Sequence, residues 1–211
     1  MILPSPLYCI VDPLDTGRDP VALAQAMLAG GARLLQLRLK NVATGTLVTT
    51  ARRVRELTAA VGARFIVNDR VDVALAVDAD GVHLGQDDLP IADARRLLGR
   101  TRWIGFSTHS EAQLAAATGR GADYLSIGPI YATTSKSNAD PVIGCARVRA
   151  ARPTVTEPLV AIGGITAATL PEVLAAGADA ASVIAAIVRA PDVARATAEL
   201  LTIAAARPPR Q

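Results

Sequence analysis

Residues 20–40, P-V-A-L-A-Q-A-M-L-A-G-G-A-R-L-L-Q-L-R-L-K, carry the rhythm on which the fold depends. Ala- and Leu-rich residues 20–29 read as a helix, Gly31-Ala32-Arg33 as a break, and residues 34–38 as a strand. Glycine at the break can take the left-handed conformation that ends a helix, so the chain turns straight into a sheet. The same break returns as Gly62-Ala63-Arg64, Gly121-Ala122-Asp123 and Gly177-Ala178-Asp179, each between a helix-like segment and an apolar run.

Outward from this unit, strands are expected at 7–10, 65–68, 82–84, 103–106, 124–127, 159–162 and 181–184, with further helices at 46–61, 110–118 and 170–176. Strands alternating with helices give parallel βαβ units. Eight strands in this rhythm favour an α/β fold closed into a (βα)8 TIM barrel. A doubly wound open sheet would want a G-x-G-x-x-G after the first strand, and none is there. No interdomain linker is visible, so residues 1–206 are expected to form one catalytic barrel and 207–211 a disordered tail.

Composition narrows the function. The chain has 211 residues, 51% hydrophobic and 3% aromatic. That is enough for one well-buried domain, slightly short of the roughly 250 residues usual for this barrel. So few aromatics make a poor stacking surface for single-stranded nucleic acid. The net charge is only +3, and Arg52, Arg53 and Arg55 read as the solvated face of a helix. No signal peptide and no membrane-length apolar run is visible. Cys9 and Cys145 have neither metal-ligand spacing nor a disulfide framework. A soluble cytoplasmic protein is expected, without nucleic-acid or membrane partners. A homo-oligomer is left open.

Barrel enzymes build their sites from the loops that follow the strands, and the polar residues there form a pattern. Leu34, Gln36, Arg38 and Lys40 are two apart and share a face, while Leu35, Leu37 and Leu39 face the covering helices. Two cations and an amide on one inner wall suit a phosphate or pyrophosphate. The competing reading pairs the cations with inward carboxylates. Asp69 and Asp88 follow adjacent strands, and two such carboxylates suit Mg²⁺, which takes few protein ligands. Each could instead cap a helix, the role assigned to Asp72, Asp87 and Asp93. Ser107 and His109 share a face. His109 is either a general base or a packed, backbone-bonded histidine, whereas His83 reads as core packing. Residues 133–136, Thr-Thr-Ser-Lys, open a run to Gly144 that reads as a flap carrying phosphate ligands. Gly163-Gly164 and Ile184-Ala185 end the last two strands, where barrel loops often hold phosphate on backbone N–H groups.

These motifs, in order, resemble the thiamine-phosphate synthase family across nearly the whole chain. The matching pieces are Q-L-R-L-K (36–40), N-D-R (68–70), A-D-G-V-H-L-G-Q-D-D (79–88), S-T-H (107–109), A-D-Y-L-S-I-G-P-I-Y (122–131), T-T-S-K (133–136) and A-I-G-G-I (161–165). The resemblance implies a Mg²⁺-dependent transferase that joins 4-amino-2-methyl-5-(diphosphooxymethyl)pyrimidine to a thiazole phosphate, releasing pyrophosphate. It implies that Gln36, Arg38, Leu39, Lys40, Asn68, Ser107 and Lys136 bind the pyrimidine pyrophosphate. Arg38, Lys40, Ser107 and Lys136 would be catalytic. Asp69 and Asp88 would hold the metal, and Thr133, Thr134, Ser135, Gly164, Ile184 and Ala185 the thiazole phosphate. Leu39, Ala132, Ser135 and Ala185 depart from the residues usual in the family. Two other readings remain: a thiazole tautomerase on the same fold, which would use His109, and a non-catalytic protein that binds thiamine precursors and regulates a partner.

Overall fold

A computed structural model describes residues 2–133, 135 and 141–206. Its strands are β1 (Leu7–Val11), β2 (Leu34–Leu37), β3 (Arg64–Asn68), β4 (Gly81–Leu84), β5 (Trp103–Thr108), β6 (Tyr124–Ile127), β7 (Leu159–Ile162) and β8 (Ala180–Val183). All neighbours run parallel, and β8 returns to β1 with Tyr8 opposite Ser182, which closes the barrel. Outside lie α1 (Pro20–Ala29), α2 (Thr44–Ala60), α3 (Val71–Ala76), α4 (Ile91–Leu98), α5 (Glu111–Ala117), α6 (Gly144–Ala151) and α7 (Leu170–Ala175). A short α8 (Ala185–Val188) and a longer α9 (Val193–Ala205) follow β8. The (βα)8 expectation therefore holds. β2 ends one residue earlier than the sequence suggests, yet the Arg38 N–H still donates to the Val11 carbonyl at 2.9 Å, so the row of inward residues continues beyond the strand.

The breaks between helix and strand take the form their glycines allow. Gly31, Gly62, Gly121 and Gly177 have φ of +97°, +67°, +94° and +107°. Three aspartates then join the strands at the N-terminal end of the barrel. Asp80, just before β4, accepts the Phe65 N–H of β3 at 2.8 Å. Asp123, before β6, accepts the Ile104 N–H of β5 at 2.7 Å, and Asp179, before β8, accepts the Leu159 N–H of β7 at 2.8 Å. Each also meets arginine: Asp80 pairs with Arg55 and Arg64, Asp123 with Arg95, and Asp179 with Arg152. This end is a structural floor, which leaves the opposite end to carry function.

Side-chain alternation divides the core in two. Tyr8, Leu34, Ile66, Tyr124, Val160 and Ala180 pack inside the barrel. The other parity, including Cys9, Leu35, Leu37, Val67, Leu125 and Ala161, packs with the helices. Val21, Leu23, Ala24, Met27 and Leu28 form the buried face of α1 in that outer layer. Asp19 caps this helix, accepting the Ala22 N–H at 2.8 Å, and Pro20 occupies its first turn, where no N–H donor is needed. Among the described residues no helix is long and apolar enough to cross a membrane.

Candidate active site

The C-terminal ends of the strands surround a cavity of about 960 Å³. That is roughly the upper end of the size range for small-molecule sites. Gln36, Arg38, Lys40, Asn68, Asp69, Asp88, Ser107, Thr133, Ser135, Gly164, Ile184 and Ala185 all line it. Leu39 does not: following the strand alternation, it packs against the outer apolar layer. Thr134 and Lys136 lie outside the described residues.

On one side the inner wall of β2 meets the ends of β3 and β4. Arg38 forms an ion pair with Asp12, which follows β1 and is 8% exposed. Lys40 forms another with Asp69, so pairing with carboxylates, the competing reading of the row, describes both cations here. Lys40 is half-exposed, and its pair is correspondingly open to replacement by a more highly charged ligand. Asp69 has φ +61°, an uncommon conformation for a residue other than glycine, and its N–H donates to the His83 carbonyl at 2.8 Å. The turn is thereby tied to β4, and the carboxylate stands at the mouth of the barrel.

Asp88 accepts the Gly85 N–H at 2.7 Å, an interaction that folds the β4 loop back over its strand. Burial raises the Asp88 carboxyl above its usual value, and the nearby Asp69 adds to that rise through a hydrogen bond and its charge. The Gly85 N–H and Lys40 oppose it. Asp69 and Asp88 both line the cavity, a placement from which two carboxylates could hold a divalent cation. Among the described residues no group of three or more His, Cys, Asp or Glu could hold a metal. An oxygen pair that leaves most positions to water and substrate oxygens fits Mg²⁺ better than Zn²⁺.

The floor of the cavity is polar, and the sequence points to only part of it. Ser107 is expected there; Tyr8, His83, Ser126 and Ser182 are not, nor is Tyr124, which is buried beneath them. His83 is buried as expected, but its ring faces inward, with Nδ1 2.9 Å from Tyr124 Oη and Nε2 2.8 Å from Ser107 Oγ. The signal in the sequence is parity: Tyr8 and Ile10 on β1, His83 on β4 and Tyr124 and Ser126 on β6 alternate with wholly apolar neighbours. Ser182 Oγ is buried without a hydrogen-bond partner among the described residues, although its side chain lines the cavity. His109 Nδ1 lies 3.0 Å from the Gly128 carbonyl, so the backbone-bonded alternative describes it.

Opposite the charged wall, the loops after β6, β7 and β8 come together with little bulk between them. A side chain at Gly163 would overlap Pro129, and one at Gly164 would overlap Tyr131 and the Ala132 carbonyl. Ser135 N–H donates to Thr133 Oγ1 at 3.2 Å, which keeps the hydroxyl loop turned on itself. Tyr131 anchors its base, donating to Glu172 at 2.9 Å. The cavity therefore has a charged, carboxylate-bearing side and a side of hydroxyls and backbone groups. That suits two phosphorylated molecules held face to face.

Residues 7–187 match the family model described as thiamine monophosphate synthase. A thiamine-phosphate synthase of Chloroflexus aurantiacus is 48% identical over 92% of this chain and 90% of its own length. One from Moorella thermoacetica is 47% identical over 92% and 93%. Among solved structures, thiamine phosphate pyrophosphorylase from Pyrococcus furiosus superposes with a TM-score of 0.86 at 40% identity, over 94% of this chain and 95% of that one.

Proposed function

Since the chain belongs to the thiamine monophosphate synthase family, we propose that its barrel mouth joins an aminopyrimidine-methyl pyrophosphate to a thiazole phosphate, yielding thiamine phosphate and pyrophosphate. The chain is a transferase. The observation that carries the reading is the two-sided cavity, with Arg38, Lys40, Asp69 and Asp88 facing the hydroxyl and glycine loops across one space.

The C–O bond between the pyrimidine methylene and pyrophosphate breaks, and the thiazole nitrogen forms a C–N bond to the same carbon. The electron-rich aminopyrimidine can stabilise positive charge at the methylene, so no protein nucleophile is required. What the protein must stabilise is the charge gathering on the departing pyrophosphate. Arg38 and Lys40 do this from the segment that follows β2, and Lys136 from the sequence that follows β6. Asn68 and Gln36 orient the pyrimidine pyrophosphate, and Ser107 stands at its reacting end. Thr133, Thr134, Ser135 and the backbone at Gly164, Ile184 and Ala185 hold the thiazole phosphate, making the encounter of the two reactants effectively unimolecular. Asp69 and Asp88 would hold Mg²⁺, which supplies Lewis-acid stabilisation of phosphate oxygens when bound. The reading is of a cytoplasmic enzyme: Cys9 and Cys145 are buried free thiols that need no oxidising compartment.

The tautomerase reading would use His109 as a base, but that ring is engaged by a backbone carbonyl. The decisive experiment mixes purified protein with both substrates, with and without Mg²⁺, and measures thiamine phosphate and pyrophosphate. Both products should appear in equal amounts, and only with metal. No product under either condition refutes the synthase reading, and isomerisation of the thiazole alone would replace it with the tautomerase.

A further inference from the structure

A hydrogen-bonded chain crosses the barrel floor from β2 to β5. Gln36 Nε2 donates to Tyr8 Oη at 2.9 Å, Tyr8 Oη lies 2.9 Å from Tyr124 Oη, and Tyr124 Oη lies 2.9 Å from His83 Nδ1. His83 Nε2 then reaches Ser107 Oγ at 2.8 Å. The five side chains come from five different strands, and the chain runs from Gln36, at the base of the charged wall, to Ser107. The two phenols are fully buried, and burial holds both well above their ordinary pKa, so each keeps its proton.

One polarity gives every proton in the chain an acceptor within it or in the cavity. The Gln36 amide can only donate from Nε2, so Tyr8 Oη accepts there and sends its single proton to Tyr124. Tyr124 Oη, now an acceptor, sends its own proton to His83 Nδ1. In that polarity the nitrogen is unprotonated, and the neutral ring carries its proton on Nε2, facing Ser107. Ser126 Oγ also donates to Ser107 Oγ, at 3.4 Å. Both acceptor positions of Ser107 are thereby filled, and its own proton is left for the cavity. We infer that His83 is a positioning residue, locked by Tyr124 as the Nε2–H tautomer, that makes Ser107 a hydrogen-bond donor to the substrate rather than an activated base. The donor role rests on the synthase reading, in which the acceptor is an oxygen or ring nitrogen at the reacting end of the pyrimidine pyrophosphate. The tautomer does not rest on it.

Gly105 supports the idea independently. Two residues before Ser107 on β5, it has no room for a side chain: a Cβ there would overlap the Tyr124 ring and His83 Nδ1. The strand has been cleared at the point where the phenol and imidazole meet. The opposite polarity, with Ser107 donating to His83 Nε2, would make the serine oxygen an acceptor toward the cavity and put the imidazole proton on Nδ1.

The test is ¹⁵N–¹H correlation spectroscopy of the histidine side chains at about pH 8, where an ordinary imidazole is neutral. The chain has two histidines, and the His83→Gln spectrum assigns them by difference. The Nε2–H pattern is expected for His83 in the wild-type protein, with Tyr124→Phe mixing the tautomers. An Nδ1–H pattern, or a charged ring, in the wild type overturns the inference whether or not thiamine phosphate is made. In kinetics, glutamine can place its N–H near Nε2 and asparagine cannot. His83→Gln should retain turnover within about tenfold of wild type, while His83→Asn loses a further factor of ten or more in kcat with KM changing less than about threefold. Equal losses in the two variants would overturn the positioning role.

Discussion

Lys40 at the end of β2 forms an ion pair with Asp69 at the end of β3, so a cation proposed for the leaving group rests on a carboxylate proposed for the metal. One pairing must loosen for both proposed roles to be filled: Asp69 would turn to a bound Mg²⁺, and Lys40 would be released to a phosphate of the substrate. The two groups neutralise each other until the substrate arrives.

Replacing Asp69 with alanine should therefore weaken the metal far more than it weakens the fold. Mg²⁺ affinity, measured by calorimetry with the pyrimidine pyrophosphate present, is expected to fall about tenfold or more, and turnover by roughly 10²-fold. Excess Mg²⁺ should restore part of the rate. A chelator should silence the wild-type enzyme until Mg²⁺ is returned. An unchanged rate in Asp69→Ala would remove this residue from the metal site.

At the other end of the barrel, Asp123 accepts the Ile104 N–H at 2.7 Å and pairs with Arg95 at 2.5 Å. Alanine there leaves a buried strand donor unsatisfied and an arginine without its carboxylate. The expected cost is about 2–4 kcal/mol in urea unfolding, discounted for the partial exposure of the pair. Asparagine keeps the acceptor and should lose about half as much. KM for both substrates should stay at the wild-type value, because this end holds no substrate. If Asp123→Ala unfolds at the wild-type midpoint, the three aspartates are not what joins the strands.

The fold is legible in the sequence because two local rules agree at four of its units, those entered at Gly31, Gly62, Gly121 and Gly177: glycine where a helix must stop, and an apolar run soon after it. The charged wall is legible for a related reason, since residues two apart on a strand share a face, and that spacing alone groups Gln36, Arg38 and Lys40. The polar floor is harder to read. His83 reads as packing because a lone histidine in an apolar strand carries no sign of what it faces. Tyr8 and Tyr124 are 116 positions apart, and only closure of the barrel brings their hydroxyls to 2.9 Å. The ion pairs of Arg38 with Asp12 and Lys40 with Asp69 likewise depend on the order of strands around the ring. Pairwise chemistry across a barrel follows from its closure rather than from any single stretch.

Lys136 is, with Lys40, one of two lysines in a chain with 22 Lys and Arg side chains. Arginine serves elsewhere, so a requirement for lysine in the loop after β6 can be tested by substitution. A compact ammonium on a flexible stem can follow charge as it moves onto the departing pyrophosphate, whereas a planar guanidinium imposes its own geometry. Lys136→Arg is expected to lose turnover by about tenfold or more, and Lys136→Ala by a larger factor. Single-turnover kinetics separates the bond-breaking step from product release. Wild-type turnover in the arginine variant would mean that positive charge alone is sufficient there.

Gly105 offers the sharpest stability test. It is the residue of β5 against which the Tyr124 ring and His83 pack, and a methyl group on it would overlap both. Neither neighbour can retreat easily, because Tyr124 is fully buried and bonded to Tyr8, while His83 is bonded to Tyr124 and Ser107. Gly105→Ala should therefore cost about 1–3 kcal/mol, against the slight gain that alanine brings at an unobstructed glycine with ordinary backbone angles. For a chain of this length that is a fall in Tm of roughly 2–12 °C, measurable by calorimetry. Turnover should fall as well, since the displaced imidazole no longer meets Ser107. An unchanged Tm would show that the floor can shift to admit the methyl group, and that the packing of Tyr124 and His83 on β5 is looser than these contacts require.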